Sequence, residues 1–399
     1  MLAVADQLGR RAAEGYDKQL YSDLFSCIRY LGQTDLPASI KKNHEFLEHI
    51  RTAMDASQNV NDKAELYDQY KRALFYSAPY VFDDYLLAVE FDRPLEKKFY
   101  QPRRHYLRPM VQGYQDILDG KLDLLTLSLP KRAGKSQVGI NFALMLSGRN
   151  PDRASLMEGA GDDLITSFYK GCLEYLMDTE NYHFYDIFPD APIIETNAKL
   201  KTINLQRKKR FPTIMCRSID ASQVGLSEAT NLLYLDDCVQ SREEAKNRQR
   251  LDDKWETIRG DVMGRAIEGT PIVATGTRYS LYDPIGRLQE YADSQHKRWR
   301  AIEIPALDPI TDESNYEYVR EGKRVFTTAF FREQRELLSA EQFESEFQQQ
   351  PFEAKGLLFG VKELNYYFEL PVDQDPDAII AVCDTAETGS DSTSLVIAR

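Results

Sequence analysis

The chain has 399 residues, 42% hydrophobic and 28% charged, the balance of a globular protein long enough for one large α/β core and part of another. Fifty basic against 63 acidic residues give a net charge of −13, which argues against a protein that coats nucleic acid non-specifically and leaves only local cationic contacts. No run of about 18 apolar residues occurs, so no membrane span is expected, and the N-terminus MLAVADQLGRRAAEGYDKQ turns charged too early for a signal peptide.

Residues 1 to about 95 read as helical, because AELYDQYKRALFYSAPYVFDDYLLAVEF places apolar residues three and four apart. His44 and His49 are expected on a solvated helix, and the five histidines offer no metal-binding spacing. From about residue 120 the texture changes to short apolar runs alternating with helical stretches. LDLLTLSL (122–129), RASLMEG (153–159), FPTIMCRSI (211–219), NLLYLD (231–236) and TPIVATG (270–276) all read as strands. Strands alternating with helices predict parallel βαβ units with helices on both faces. Residues 300–350 read as helical and polar again, LPVDQDPDA (370–378) as a linker, and the last stretch as two strands joined by a polar turn. The chain ends there, so the second sheet is expected to be incomplete. Cys27, Cys172, Cys216, Cys238 and Cys383 form no CxxC pair, which predicts a reducing compartment without disulfides or zinc.

The chemistry is concentrated at three strand ends. The first strand runs into SLPKRAGKSQ and then an apolar helix, the context a phosphate loop requires. Backbone N–H groups of the turn and helix start, through Ala133, Gly134 and Gln137, would bind phosphate oxygens. Lys135 would reach the β- and γ-phosphates of ATP, and Ser136 would hold Mg²⁺. The usual opening glycine is missing, and Lys131 and Arg132 lie inside the turn. NLLYLDDCV supplies a second carboxylate-bearing strand end: Asp236 for the magnesium, Asp237 where an acidic residue orients the attacking water. An aspartate there is one methylene shorter than the usual glutamate. A third strand ends in Thr275-Gly276-Thr277, a pattern that would place Thr277 to sense the γ-phosphate beside the second carboxylate.

Taken together, these stretches resemble the large terminase subunit of tailed double-stranded DNA bacteriophages, the ATPase–nuclease that packages DNA. LSLPKRAGKS is similar to the family's variant loop, in which proline and arginine replace the opening glycine. LLYLDDCVQSREEAKN is similar to its second motif, VATGTRYSLYDPIGRL to its coupling motif, LSAEQFESEFQQQPFEAKGLLF to the segment leaving the ATPase domain, and AVCDTAETGSDSTSLVIA to the first hairpin of its nuclease. The resemblance spans about residues 98–399 in order; residues 1–97 match no known pattern.

The resemblance implies an α/β phosphate-loop NTPase core with a mostly parallel sheet (98–300). A helical extension (1–97) would precede it, a helical lid and connector (301–369) would follow, and an RNase H-like nuclease would begin at 370–399. It implies ATP and Mg²⁺ bound in a homo-oligomeric ring on the procapsid, with a chain that would be monomeric in solution. Double-stranded DNA, the portal protein and the small terminase subunit would be partners, in the cytoplasm of an infected bacterium. Arg132 would stabilise the transferred phosphate in cis, although the sequence leaves open whether Arg132 or Lys131 faces it. Arg217, before DASQVGLS, is the candidate for a finger reaching a neighbouring subunit, and Gln101 or Tyr100 for reading the base. Asp384 would be the first carboxylate of a nuclease centre holding Mg²⁺ or Mn²⁺, with Asp391 near it. The remaining carboxylates would lie past residue 399, so this chain should not cut DNA. KLKTINLQRKKRF (199–211) carries six basic residues on an expected hairpin and would touch DNA phosphates. A helicase-type phosphate-loop NTPase and a non-catalytic assembly protein with a decayed site are the competing readings.

Overall fold

Amphipathic spacing and polar caps shape the first hundred residues. The computed structural model describes residues 1–220 and 227–351 together with the backbone of 380–384 and 394–398. Helices α1 (Leu2–Ala12), α2 (Lys18–Leu31), α3 (Leu36–Ala56) and α4 (Val60–Ser77) open the chain. Asp17, Asp35 and Asn59 begin the last three by accepting the N–H groups of Leu20, Ala38 and Asn61. A turn at Pro79 separates α4 from α5 (Phe82–Ala88), so the expected helical run is two helices. His44 is not simply solvated: its ring Nε2 lies 2.7 Å from the Asp84 carboxylate of α5. Tyr21, Phe46, Leu66 and Leu74 belong to the same continuous apolar core as Leu125 and Phe142 near the sheet. The N-terminal helices therefore fold onto the sheet layer.

Helix α6 (Tyr100–Leu118) leads into β1 (Leu124–Ser128), followed by α7 (Lys135–Arg149), β2 (Ser155–Gly159), α8 (Asp162–Met177) and α9 (Phe184–Ile187). Then come β3 (Ile193–Asn197), β4 (Thr202–Leu205), β5 (Ile214–Ser218) and β6 (Leu232–Asp236). After α10 (Arg242–Lys246) and α11 (Arg248–Thr257), β7 (Ile272–Gly276), α12 (Pro284–Ser294) and β8 (Trp299–Glu303) complete an eight-stranded sheet ordered β3-β4-β5-β2-β6-β7-β1-β8. From β5 to β8 all neighbours are parallel, and β3 and β4 add an antiparallel edge. The fold is thus mixed α/β, with a mostly parallel sheet flanked by helices. The five strands read from apolar runs are β1, β2, β5, β6 and β7.

Residues 300–350 depart from the helical expectation. Strand β8 closes the sheet against β1, and β9 (Tyr318–Arg320) pairs antiparallel with β10 (Lys323–Val325). Helices α13 (Thr328–Leu337) and α14 (Ala340–Glu346) follow. As an edge strand, β8 is covered incompletely and carries arginine and glutamate, which hides the apolar run a strand reading needs.

Helix α7 is buried on nearly every face, from Val138 to Ser147. Its Gly139 packs so close to β6 that a Cβ there would stand 1.9 Å from the Tyr234 hydroxyl. That close approach holds the helix, and the loop before it, against the sheet. Residues 354–399 form a second compact unit, in which β11 (Ile380–Asp384) and β12 (Ser394–Ala398) make an antiparallel hairpin with Asp384 opposite Ser394. The linker stretch 370–378 lies outside the described residues.

Candidate functional site

Sheet order places the C-terminal ends of β6, β7 and β1 side by side, with β7 between the other two. Ligands of open parallel sheets bind at this edge. The loop leaving β1 begins at Leu129, which is fully buried and, counted back from Gly134, itself occupies the opening-glycine position, so Pro130 and Arg132 lie inside the loop and do not replace that glycine. Backbone strain is displaced to Arg132, which adopts φ 66°, and to Gly134 at φ 103°. Only glycine suits the second position, since a Cβ would also press on the Phe99 ring at 2.9 Å.

Lys135 opens α7 with its ammonium folded into the loop, donating to Leu129 O at 2.8 Å, Pro130 O at 3.2 Å and Thr277 Oγ1 at 3.2 Å. Burial holds this ammonium below the ordinary lysine range, against the attraction of Asp237 and Asp236. A buried cation at a helix N-terminus, clasped by carbonyls, is prepared for an anion.

Asp236 ends β6 fully buried. Its Oδ1 accepts the Thr275 hydroxyl at 2.6 Å, while Oδ2 has no hydrogen-bond partner among the described residues. Burial, and next the charge of Asp237, push its carboxyl up to about 6, with Thr275, Ser136 and Lys135 opposing. An orphaned buried oxygen beside a serine at a helix start suits a hydrated divalent cation, so the residues fit Mg²⁺. Asp237 takes the left-handed conformation at φ 37°. There its Oδ1 accepts the Thr277 N–H at 3.1 Å, and its own N–H donates to Thr275 O at 2.9 Å. The three strand ends are therefore stitched into one constellation of Lys135, Ser136, Asp236, Asp237 and Thr277.

No known protein-family profile matches the chain, and neither does any curated protein. Solved structures do. A mutant of the large terminase ATPase domain of Thermus phage P74-26 is similar over 60% of this chain and 93% of its own, at 11% identity and a TM-score of 0.39. The large terminase of bacteriophage HK97 is similar over 60% of this chain and 50% of its own, at 10% identity and a TM-score of 0.42. The site geometry, and not this likeness, carries the reading of function below.

The two loop cations are treated differently. Lys131 stands over the Tyr279 ring and reaches Glu346 Oε2 at 3.3 Å. Arg132 is exposed and makes no hydrogen bond or ion pair among the described residues. Ala133 is buried, Ser136 is half-buried, and Gln137 donates to the Tyr175 hydroxyl at 3.0 Å.

At the expected base end, Tyr100 is fully buried and donates its hydroxyl to Asp83, so its ring is unavailable. Gln101 is exposed and lies two residues after Phe99, whose ring abuts Gly134. Arg217 lies on β5 in register with Glu158 of β2, and the stretch 221–226 after it is outside the described residues.

The basic stretch 199–211 runs through β4 and the loops flanking it. With Arg217 and Asn197 it lines a groove of about 430 Å³ at the sheet edge. Lys201, Arg207 and Lys208 pair with Asp162, Asp152 and Glu195, each at 2.7 Å. Asp384 ends β11, and Asp391 is outside the described residues.

The stretches likened to family motifs contain Arg278, Arg242 and Glu346, but nothing in them points to a buried support behind the site. Arg278, next to Thr277, donates to Asp283 Oδ2 and Glu303 Oε1, both at 3.1 Å. Its backbone N–H donates to Gln349 Oε1 at 3.2 Å and its carbonyl accepts Ser345 Oγ at 2.9 Å. Glu346 holds Arg242 as well as Lys131. Lys131 and Glu346 are 215 positions apart, and a glutamate within a polar helix gives no local cue to its partner. No helix among the described residues is long and apolar enough to cross a membrane.

Proposed function

We propose that the chain is an ATPase of the large-terminase kind, hydrolysing Mg²⁺–ATP to move double-stranded DNA into a phage procapsid. The observation that carries this reading is the convergence of Lys135, Asp236, Asp237 and Thr277 at three adjacent strand ends, with Thr277 touching both the lysine and, through its N–H, Asp237. In this reading the β- and γ-phosphates lie on the Ala133–Gln137 backbone and draw the Lys135 ammonium off the carbonyls of Leu129 and Pro130. Ser136 and Oδ2 of Asp236 would hold the magnesium, which when bound would neutralise charge on the phosphates. Asp237 orients the water that attacks the γ-phosphorus, and ADP leaves. Exposed Arg132 is the cation free to meet the transferred phosphate. Gln101, exposed near the start of α6, is the side chain assigned to the base.

A decayed site is not favoured, because its lysine, paired carboxylates and strained glycine are all arranged as working parts. The basic groove at the β3–β4 edge is the proposed DNA contact, following backbone charge and not sequence. Asp384 is the carboxylate assigned to a metal-dependent nuclease. The portal protein, small terminase subunit and further copies in a ring are the proposed partners.

The test is Mg²⁺-dependent ATP hydrolysis with and without double-stranded DNA. Lys135→Ala should reduce turnover by about 100-fold or more, the scale of lost transition-state stabilisation at such sites. Wild-type protein without turnover even with DNA, or a Lys135→Ala variant equal to it in turnover and nucleotide binding, would refute the reading.

A further inference from the structure

The phosphate loop is held from outside by a residue to which none of the sequence motifs assigns a role. Glu346 ends α14, is only 6% exposed, and accepts from two cations at once. Arg242 donates its Nε at 2.7 Å and a terminal nitrogen to Oε1, and Lys131 donates to Oε2 at 3.3 Å. The cations come from different sides of the site: Lys131 from the loop after β1, Arg242 from the helix that follows the carboxylates of β6. A single buried carboxylate is thus the common anchor of two positive charges flanking the phosphate position.

The anchor is itself fixed. Gln349 donates its side-chain amide to Glu346 O at 2.6 Å and accepts the Arg278 N–H, while Ser345 Oγ donates to Arg278 O. Arg278 directly follows Thr277, the residue that joins Lys135 and Asp237. Two separate routes therefore connect the nucleotide site to the end of α14, one through side chains to the loop and one through the β7 turn.

We infer that Glu346 is a positioning residue for ATP hydrolysis, setting Lys131 and Arg242 beside the phosphate loop and thereby making the reaction depend on the seating of α14. This rests on the ATPase reading above. Losing the anchor leaves both cations in place chemically but free to swing, so the effect falls on the transition state, where geometry matters most. Against burial, Tyr279 and then the Glu346 carboxylate hold the Lys131 ammonium above the ordinary lysine range, so release from Glu346 removes one of these two supports.

The experiment compares Mg²⁺–ATP kinetics of wild type, Glu346→Gln, Lys131→Ala, Arg242→Ala and the Lys131→Ala/Arg242→Ala double variant, each checked for folding by thermal melting. Glu346→Gln should lower kcat about tenfold or more with KM changed less than about threefold, and should cost nothing further in the double variant. Unchanged kcat in Glu346→Gln, or the same loss repeated in the double variant, would overturn the inference.

A second measurement separates the anchor from the ATPase reading: acylation of Lys131 by a water-soluble amine-reactive ester, followed by mass spectrometry. Glu346→Gln should raise the rate at Lys131 several-fold by favouring the neutral amine, and an unchanged rate would exclude the anchoring contact. If the wild type hydrolyses no ATP while Lys131 labelling rises, the ATPase reading and the positioning role both fall, and the ion pair alone stands.

Discussion

Two regions of one sheet use charge in opposite ways. At the C-terminal edge of β6, β7 and β1, Lys135, Asp236 and Arg278 are almost wholly buried and tied to named partners. At the outer edge formed by β3 and β4, Lys208 is 73% exposed and pairs with Glu195 at the surface. Buried charges carry geometry, because an unpaired one is costly, whereas exposed charges are screened and carry only a field. The centre should therefore be intolerant of single substitutions and the edge tolerant of them.

The largest expected effect sharpens that contrast. Arg278→Ala takes the cation from the buried Asp283 carboxylate, which keeps only the N–H groups of Tyr279, Ser280 and Gly286, so urea denaturation should show a loss of about 3 kcal/mol. Lys208→Ala at the edge should cost no more than about 1 kcal/mol. Comparable losses at the two positions would end the distinction between them.

The next effect is in pH. Asp236 has a folded-state carboxyl raised to about 6 by burial and by Asp237, above its unfolded value of 3.8. Between those values the unfolded chain has released a proton that the folded chain retains, so stability falls as pH rises through the interval. Asp236→Asn should remove this slope and gain stability relative to wild type above pH 6, while losing Mg²⁺-dependent turnover. Subtracting the Asp236→Asn denaturation curves from those of wild type at intervals from pH 4 to 7 isolates the slope from that of the other titrating groups. A difference that stays constant across that range would mean that burial does not hold the Asp236 proton.

The same contrast explains which parts of the molecule are legible in its sequence. The strands β1, β2 and β6 are buried at every position, so their apolar runs stand out, and the polar residues ending β1, β6 and β7 mark the site. Lys135, Asp236, Asp237 and Thr277 come together as those strand ends imply. Edge strands β3 and β8 carry charged and half-exposed residues, and neither is legible. The buried support behind the site escapes for a different reason. Glu346 and Arg242 act through partners far along the chain, as Arg278 does through Glu303 and Gln349 although not through Asp283, and nothing in the local sequence of Glu346 or Arg242 separates a buried ion pair from a solvated helix face. Which loop cation is anchored is likewise a tertiary fact: Lys131 is held by a residue of α14, which no reading of SLPKRAGKSQ contains.

The smallest effect on stability should be the most informative about DNA. Lys199, Lys208 and Arg210 are all exposed, so replacing the three with alanine should leave thermal melting nearly unchanged. If this edge follows a DNA backbone, affinity for double-stranded DNA should fall regardless of its sequence, because phosphate contacts carry no base information. The decisive quantity is the salt dependence. For every phosphate that a substituted side chain no longer neutralises, the slope of log affinity against log salt should shrink by about 0.9, as fewer counterions are released on binding. A weaker affinity with an unchanged slope would mean that the three residues act through the fold or through another surface. Only a fall in both affinity and slope would assign the DNA to the tolerant edge, where charge serves as a field and not as a framework.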